Sequence, residues 1–147
     1  MTNDIVLDTP QAEEFAFIFD SWAKAFMKSP YAGCIRNCDY DEASRRAMSE
    51  IVDRGATVTV LAVPLPNGER RIAGYSVSEP ARKVLHWIYI KRDYRGLGLG
   101  RQLRRHVAAD VDLQDWIYTY RTNASERFLS AKGRRMRWDR RPACMKA

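Results

Sequence analysis

Apolar positions in the first third of the chain recur at three- and four-residue steps, which is typical of amphipathic helices. Thr9 is the predicted cap of the first helix, and Pro10 stands at its first position. Asp39 and Glu42 form a capping-box pattern, which predicts a second helix that ends near Gly55. One face of the first helix carries Phe15, Ile18, Phe19, Trp22 and Phe26.

The period then changes to that of β-strands. Residues 56–63 and 71–77 are rich in β-branched and apolar side chains, and Asn67-Gly68 between them predicts a hairpin turn. Residues 84–90 form a third run that is apolar on both faces, which indicates a central strand covered on each side. Its predicted faces are Val84, His86, Ile88 and Ile90 on one side, and Leu85, Trp87 and Tyr89 on the other.

A glycine-rich segment links this strand to a further helix. Gly96, Gly98 and Gly100 stand at alternate positions. The helix that follows is predicted to carry Leu99, Leu103, Val107 and Val111 on one stripe. Glycines at such a junction let a ligand approach the backbone, and the first amides of the helix attract an anion. We therefore predict a phosphate-bearing cofactor at this turn.

Two familiar phosphate loops do not match the spacing. A P-loop ends in Gly-Lys-Ser/Thr, whereas Gly100 is followed by Arg101 and Gln102. A dinucleotide-binding turn needs the spacing GxGxxG, which the alternating glycines do not provide. Instead, the hexapeptide RGLGLG resembles the pyrophosphate loop of the GNAT superfamily, the acetyl-CoA-dependent N-acyltransferases.

The order of predicted elements is also similar to that of the GNAT fold over nearly the whole chain. The resemblance implies one α/β domain over residues 1–147, with a central mixed sheet of about six strands and helices on both faces. The segment FIFDSWAKAFMKSPYAG further resembles small acetyltransferase-like proteins of bacteriophages.

The resemblance assigns roles in binding acetyl-CoA. The loop amides and Arg101 would hold the pyrophosphate, and the backbone of the central strand would pair with the pantetheine arm. Asn123 would lie against the cofactor, although it also suits a helix cap. The cofactor residues that the resemblance implies are Ile88, Ile90, Arg95, Gly96, Gly98, Gly100, Arg101 and Asn123.

Catalysis needs a group that removes a proton from the acceptor amine. His86 occupies the strand position at which many GNAT enzymes carry a glutamate base, and a buried structural histidine is the alternative. Glu79 is a weaker substitute and is expected to be a surface charge. The family's helix tyrosine, which protonates the departing thiolate, has no counterpart in ASERFLSAKG, so Tyr118 and Tyr120 on the preceding strand are the candidate acids.

The net charge of +7 is concentrated near the end of the chain, where seven basic residues between Lys132 and Ala147 face one acid, Asp139. We favour a last strand there, with Met136 and Trp138 facing inward, over a tail that binds nucleic acid. The three cysteines do not form a zinc pattern, and no metal site is predicted. The chain shows neither a secretory signal nor a membrane span, so we expect a cytoplasmic protein, in the host cytoplasm if phage-encoded.

The resemblance to the GNAT superfamily implies transfer of an acetyl group from acetyl-CoA to an amine by direct attack in a ternary complex. The acceptor is left open between a small molecule, a protein and a modified DNA base. One alternative is a catalytically weak GNAT-fold protein that binds nucleic acid or a host protein through its basic C-terminus. Another is a phage enzyme that modifies DNA. A homodimer is the alternative to a monomer, because related folds commonly associate in pairs.

Overall fold

The protein forms a mixed sheet with helices packed on it. The structure, a computed structural model, describes residues 5–28, 37–108, 110–120 and 136–139, and only the backbone of 37–44 and 110–112. The strands are β1 (Val6–Asp8), β2 (Thr57–Pro64), β3 (Arg70–Glu79), β4 (Val84–Ile90), β5 (Ile117–Tyr118) and β6 (Arg137–Trp138). The helices are α1 (Phe15–Met27), α2 (Asn37–Asp53) and α3 (Leu99–Val107). Short 3₁₀ turns span Ala12–Glu14, Pro80–Arg82, Arg92–Tyr94 and Asp110–Asp115.

The six strands that the structure describes lie side by side in the order of the chain. Strands β1 to β4 are antiparallel to their neighbours, whereas β4, β5 and β6 run parallel. Helices α1 and α2 precede the long hairpin of β2 and β3, and α3 links β4 to β5. The predicted α/β class with a mixed sheet of about six strands is confirmed.

Helices α1 and α2 cover one face of the sheet. The predicted apolar stripe of α1 packs there, with Ile18, Trp22 and Phe26 buried and Phe15 and Phe19 partly buried. The side chains that meet them from α2 and the sheet are Met48, Ile51, Val58, Val60, Tyr75, Val77 and Trp87. Burial of these large apolar groups is the main force that holds the helices on the sheet.

Helix α3 covers the opposite face. Leu99 and Leu103 pack against Leu61 and Ala73 of the hairpin, and partly buried Ile88 extends the contact to β4. A second cluster on the parallel strands is formed by Leu85, Ala108, Leu113, Trp116, Tyr118 and Met136. Because both faces are covered, β4 is a central strand, as predicted.

A β-bulge changes the predicted faces of β4. Val77 pairs with Trp87, and the preceding pair along β4 is Leu85 with Ser78, so His86 is an extra residue without a partner opposite. An extra residue inverts the alternation of side chains beyond it. Leu85 therefore packs in the same cluster as Ile88, on the face opposite Trp87. The prediction that Leu85 and Trp87 share one face of β4 is wrong.

Three predicted helix ends are also wrong. Helix α2 begins at Asn37, so Asp39 lies inside its first turn and is not the residue that opens it. The first helical turn is the 3₁₀ segment Ala12–Glu14, where the backbone N–H of Gln11 donates to the Glu14 carboxylate at 2.7 Å, so this capping box replaces the predicted cap at Thr9. Helix α3 ends at Val107 because Ala108 adopts an extended backbone conformation, and Val111 lies in the following 3₁₀ turn.

The predicted last strand is present as β6, and the prediction for its side chains is half correct. Met136, just before the strand, is buried, whereas Trp138 is 43% exposed. The predicted inward position of Trp138 is therefore wrong. The remaining basic residues between 132 and 147, apart from Arg137, lie outside the described residues.

Candidate functional site

The glycine-rich segment joins the end of β4 to the start of α3 and forms the floor of a cleft. Gly96 has a φ of +81° and Gly98 a φ of +78°, a left-handed conformation that other residues rarely adopt. Nothing lies within 4 Å of the position that a Cβ atom would occupy at either glycine. The loop therefore keeps its backbone open to an approaching ligand.

Helix α3 begins in this cleft. Gly98 precedes its first residue, and no side chain caps this end of the helix. The first N–H groups of a helix have no partner within the helix, and together with the helix dipole they favour an anion. The cleft has a volume of about 250 Å³ and is lined by Ile90, Tyr94, Arg95, Gly96, Gly98, Leu99, Gly100 and Arg101.

Two arginines give the cleft a positive charge. Arg95 and Arg101 are both exposed. The Nε atom of Arg95 donates a hydrogen bond of 2.9 Å to the carbonyl of Ile90. This bond holds the guanidinium group of Arg95 against the end of β4. Six of the eight residues that the resemblance implied for the cofactor line this cleft. Ile88 lies on the adjoining strand β4, and Asn123 lies outside the described residues.

The second feature of the site is a gap beside β4. Strand β5 pairs with β4 only at Val84 and Leu85, and the backbone N–H of Thr119 donates to the carbonyl of Leu85 at 3.2 Å. Within the described residues, the rest of β4 has no strand partner on this side. Among the described residues, pairing between the two parallel strands thus ends at Leu85, a place that we call the fork. We call the side of β4 beyond the fork, where no described strand pairs with it, the gap.

The register of β4 determines which backbone groups face the gap. The N–H of Lys91 donates to the carbonyl of Ala73, so Ile90 and Gly74 form a non-hydrogen-bonded pair. The same alternation makes Ile88 a non-hydrogen-bonded residue. The N–H and C=O groups of Ile88 and Ile90 therefore point away from β3 and into the gap. An extended ligand could pair with them as an added strand would.

His86 lies at the fork, about 13 Å along β4 from Ile90 if each strand residue advances about 3.3 Å. It is 1% exposed and belongs to a network of polar side chains. Its Nδ1 lies 2.7 Å from the Thr119 hydroxyl, and its Nε2 lies 2.8 Å from the Glu79 carboxylate. Glu79 also accepts two hydrogen bonds from Arg54 and one from Arg82.

The network sets the charge state of its members. Burial lowers the pKa of His86 to about 4, although the Glu79 carboxylate opposes this shift. Burial would raise the pKa of Glu79, but hydrogen bonds from Arg54 and His86 outweigh it and hold the pKa at about 2. At neutral pH the imidazole is therefore neutral and the carboxylate is ionised.

The two predicted catalytic side chains are both buried. His86 is hydrogen-bonded to side chains, which fits the alternative of a structural histidine but leaves its role as a base a prediction. Tyr120 is 2% exposed and packs against Trp22 and Phe26, with ring centroids 4.9 and 5.1 Å apart. Its role as an acid also stays a prediction. Glu79 is only 9% exposed, so the expected surface position is wrong.

Arg54 and Thr119 belong to the network, although neither was among the site residues predicted from the sequence. Arg54 follows the end of α2, 25 residues before Glu79, and no local pattern links the two. The signal in the sequence was a charged residue, Glu79, close to the end of the predicted strand 71–77, because a carboxylate that is buried beside a strand needs a cationic partner.

Comparison of the chain with protein-family models, with curated proteins and with solved structures found no match in any of the three. No group of three or more His, Cys, Asp or Glu side chains that could hold a metal ion occurs among the described residues. None of the helices in that part of the chain is long and apolar enough to cross a membrane. The functional proposal therefore rests on the geometry of the chain's own residues.

Proposed function

We propose that this protein is a GNAT-like N-acyltransferase that transfers an acetyl group from acetyl-CoA to an amine. The observation that supports this most directly is the gap between β4 and β5. Backbone groups of Ile88 and Ile90 face the gap, and Ile90 also lines the cleft at the start of α3. One elongated ligand with an amide-bearing arm and an anionic end fits both features.

The residues present suit such a ligand. The amides of the glycine loop, with Arg95 and Arg101, would hold the pyrophosphate, and the open space at Gly96 and Gly98 leaves room for it. Backbone groups of Ile88 and Ile90 would pair with the amides of the pantetheine arm. When bound, acetyl-CoA supplies a thioester for acyl transfer.

The thioester end of the ligand would lie nearer the fork than its phosphates do. The Ile88 amide, which faces the gap and is the nearer of the two to the fork, would polarise the acyl oxygen, on which negative charge grows during attack by an amine. His86 is the proposed base and Tyr120 the proposed acid. The acceptor belongs to the class of primary amines on a small molecule, a protein or a modified DNA base.

The glycine loop gives the first test. Gly98→Glu is expected to weaken the binding of acetyl-CoA at least tenfold, because a carboxylate would occupy the place of the phosphates. The change also forces a side chain onto a left-handed backbone. Calorimetric titration of the full chain with acetyl-CoA, with coenzyme A and NAD as comparators, measures the effect.

Gly68→Glu is a matched control for this experiment. Gly68 has a φ of +86° and nothing within 4 Å of a Cβ position, but it lies in the turn between β2 and β3. It carries the same backbone strain without a role in the cleft and should leave affinity unchanged. Equal affinities in the wild type and Gly98→Glu would contradict the loop assignment, and tight binding of NAD would contradict the choice of ligand.

A second candidate function is nucleic-acid binding near the C-terminus. Trp138 is 43% exposed and follows the exposed Arg137, a combination that suits base stacking beside a phosphate contact. Trp138→Ala is expected to weaken binding of single-stranded DNA, and the wild-type affinity should fall steeply with salt. Fluorescence titrations at two salt concentrations test both points, and affinities that do not respond to the substitution would exclude this surface.

A further inference from the structure

Three side chains at the fork form a directed chain of hydrogen bonds. Thr119 follows the last residue of β5 and is fully buried. Its hydroxyl meets His86, whose other ring nitrogen meets Glu79. Both ring nitrogens of His86 are thus covered by side chains.

The charge of Glu79 fixes the direction of these bonds. A carboxylate whose pKa is held at about 2 is ionised at neutral pH and only accepts hydrogen bonds. The Nε2 atom of His86 must therefore carry the proton that Glu79 accepts. In a neutral ring, Nδ1 then has the lone pair, so the Thr119 hydroxyl donates to it.

We infer that Thr119, His86 and Glu79 form a proton relay for acyl transfer, with Glu79 as the positioning residue that keeps Nδ1 of His86 free to accept. The inference rests on the proposed function. If His86 is the base, a proton can reach Nδ1 only through the Thr119 hydroxyl, because the hydroxyl covers that atom. Arg54 and Arg82 also donate hydrogen bonds to the Glu79 carboxylate and hold it in place.

The proton balance of the relay is complete. The acceptor nitrogen forms a bond to the acetyl carbon while the bond from that carbon to sulfur breaks. The Thr119 oxygen takes the proton of the amine and passes its own proton to Nδ1 of His86. The resulting imidazolium is paired with Glu79. The departing thiolate takes its proton from Tyr120, the proposed acid. The imidazolium then loses its proton through Thr119, and the Tyr120 oxygen regains one from solvent, so the products are an amide and a thiol.

The bulge in β4 explains how the relay reaches the fork. His86 is the extra residue at this point, which turns its ring toward Glu79 at the end of β3. Thr119 is held beside it by the backbone bond to Leu85. The relay is therefore located where the gap begins, at the end where the thioester would lie.

The first test measures the tautomer of His86 in the full-length, ¹⁵N-labelled protein by NMR at neutral pH. His106 is the other histidine, and the variant His106→Gln assigns the signals. We expect a neutral ring with the proton on Nε2. A proton on Nδ1 would overturn the relay, because Thr119 would then be the acceptor of that bond.

The second test compares Thr119→Val with Thr119→Ser. In Thr119→Val the shape is kept and the hydroxyl is lost, so the turnover number is expected to fall on the order of a hundredfold while the affinity for acetyl-CoA stays unchanged. Thr119→Ser should restore most of the turnover. Thermal unfolding of both variants establishes that they are folded at the assay temperature.

The possible failures are distinguishable. Full turnover in Thr119→Val, or no rescue by Thr119→Ser, would overturn the relay and leave the proposed function intact. Failure of the wild type to bind acetyl-CoA would overturn the proposed function, and the relay with it. A wild type that binds acetyl-CoA and transfers no acetyl group to any amine would overturn the proposed acyl transfer and the relay with it, and only the assignment of the ligand would stand.

Discussion

Replacing Glu79 by alanine is expected to lower the free energy of unfolding by about 3–5 kcal/mol. The side chains of Arg54 and Glu79 are 8% and 9% exposed, so the change leaves a guanidinium buried without this carboxylate. His86 loses a partner at the same time. Urea unfolding followed by tryptophan fluorescence measures the effect, and a loss of this size is a large part of the stability of a domain.

Two further variants separate the buried pair from a general effect of losing a glutamate. Glu50→Ala removes an exposed carboxylate from α2 and should change stability by no more than about 0.5 kcal/mol. The double variant Arg54→Met with Glu79→Met replaces the pair by apolar side chains and should recover part of the loss. Equal stabilities of Glu79→Ala and Glu50→Ala would contradict the burial of the Arg54–Glu79 ion pair.

Much of the fold was predictable because its elements have strong local patterns. The stripe from Phe15 to Phe26 has helical spacing, and residues 56–63 and 71–77 have the composition of strands. The loop was predictable for a similar reason. Gly96 and Gly98 adopt left-handed conformations that glycine suits, and they stand directly between an apolar strand and a helix.

The interior network was not predictable, because contacts between distant segments create it. The bulge at His86 depends on the pairing of β3 with β4, and no residue in VLHWIYI signals it. Glu79 can be buried because Arg54, just after the end of α2, donates two hydrogen bonds to its carboxylate. Thr119 joins because β5 runs parallel to β4 and meets it at Leu85. A sequence pattern reports the local period of a segment and not which segments meet.

The same network predicts a pH dependence of stability. Lowering the pH from 7 to 4.5 is expected to reduce the free energy of unfolding by roughly 2–3 kcal/mol through His86. Its pKa is about 4 in the folded protein and lies near its ordinary value of 6.5 in the unfolded chain. Between these values the unfolded chain binds more protons than the folded protein does. The contribution of His86 to stability is therefore fully present above pH 6.5 and is lost as the pH falls toward 4.

Urea unfolding at several pH values tests this dependence, with the two histidines as a matched pair. His86→Gln should flatten the curve between pH 6.5 and 4.5, whereas His106→Gln, on the exposed side of α3, should leave it unchanged. Below pH 4.5 a second loss is expected, because Glu79 has a pKa of about 2 when folded and gives up its bonds to Arg54 when protonated. If His86→Gln kept the wild-type slope, the imidazole would titrate in contact with water, and neither the buried network nor a relay through Thr119 would stand.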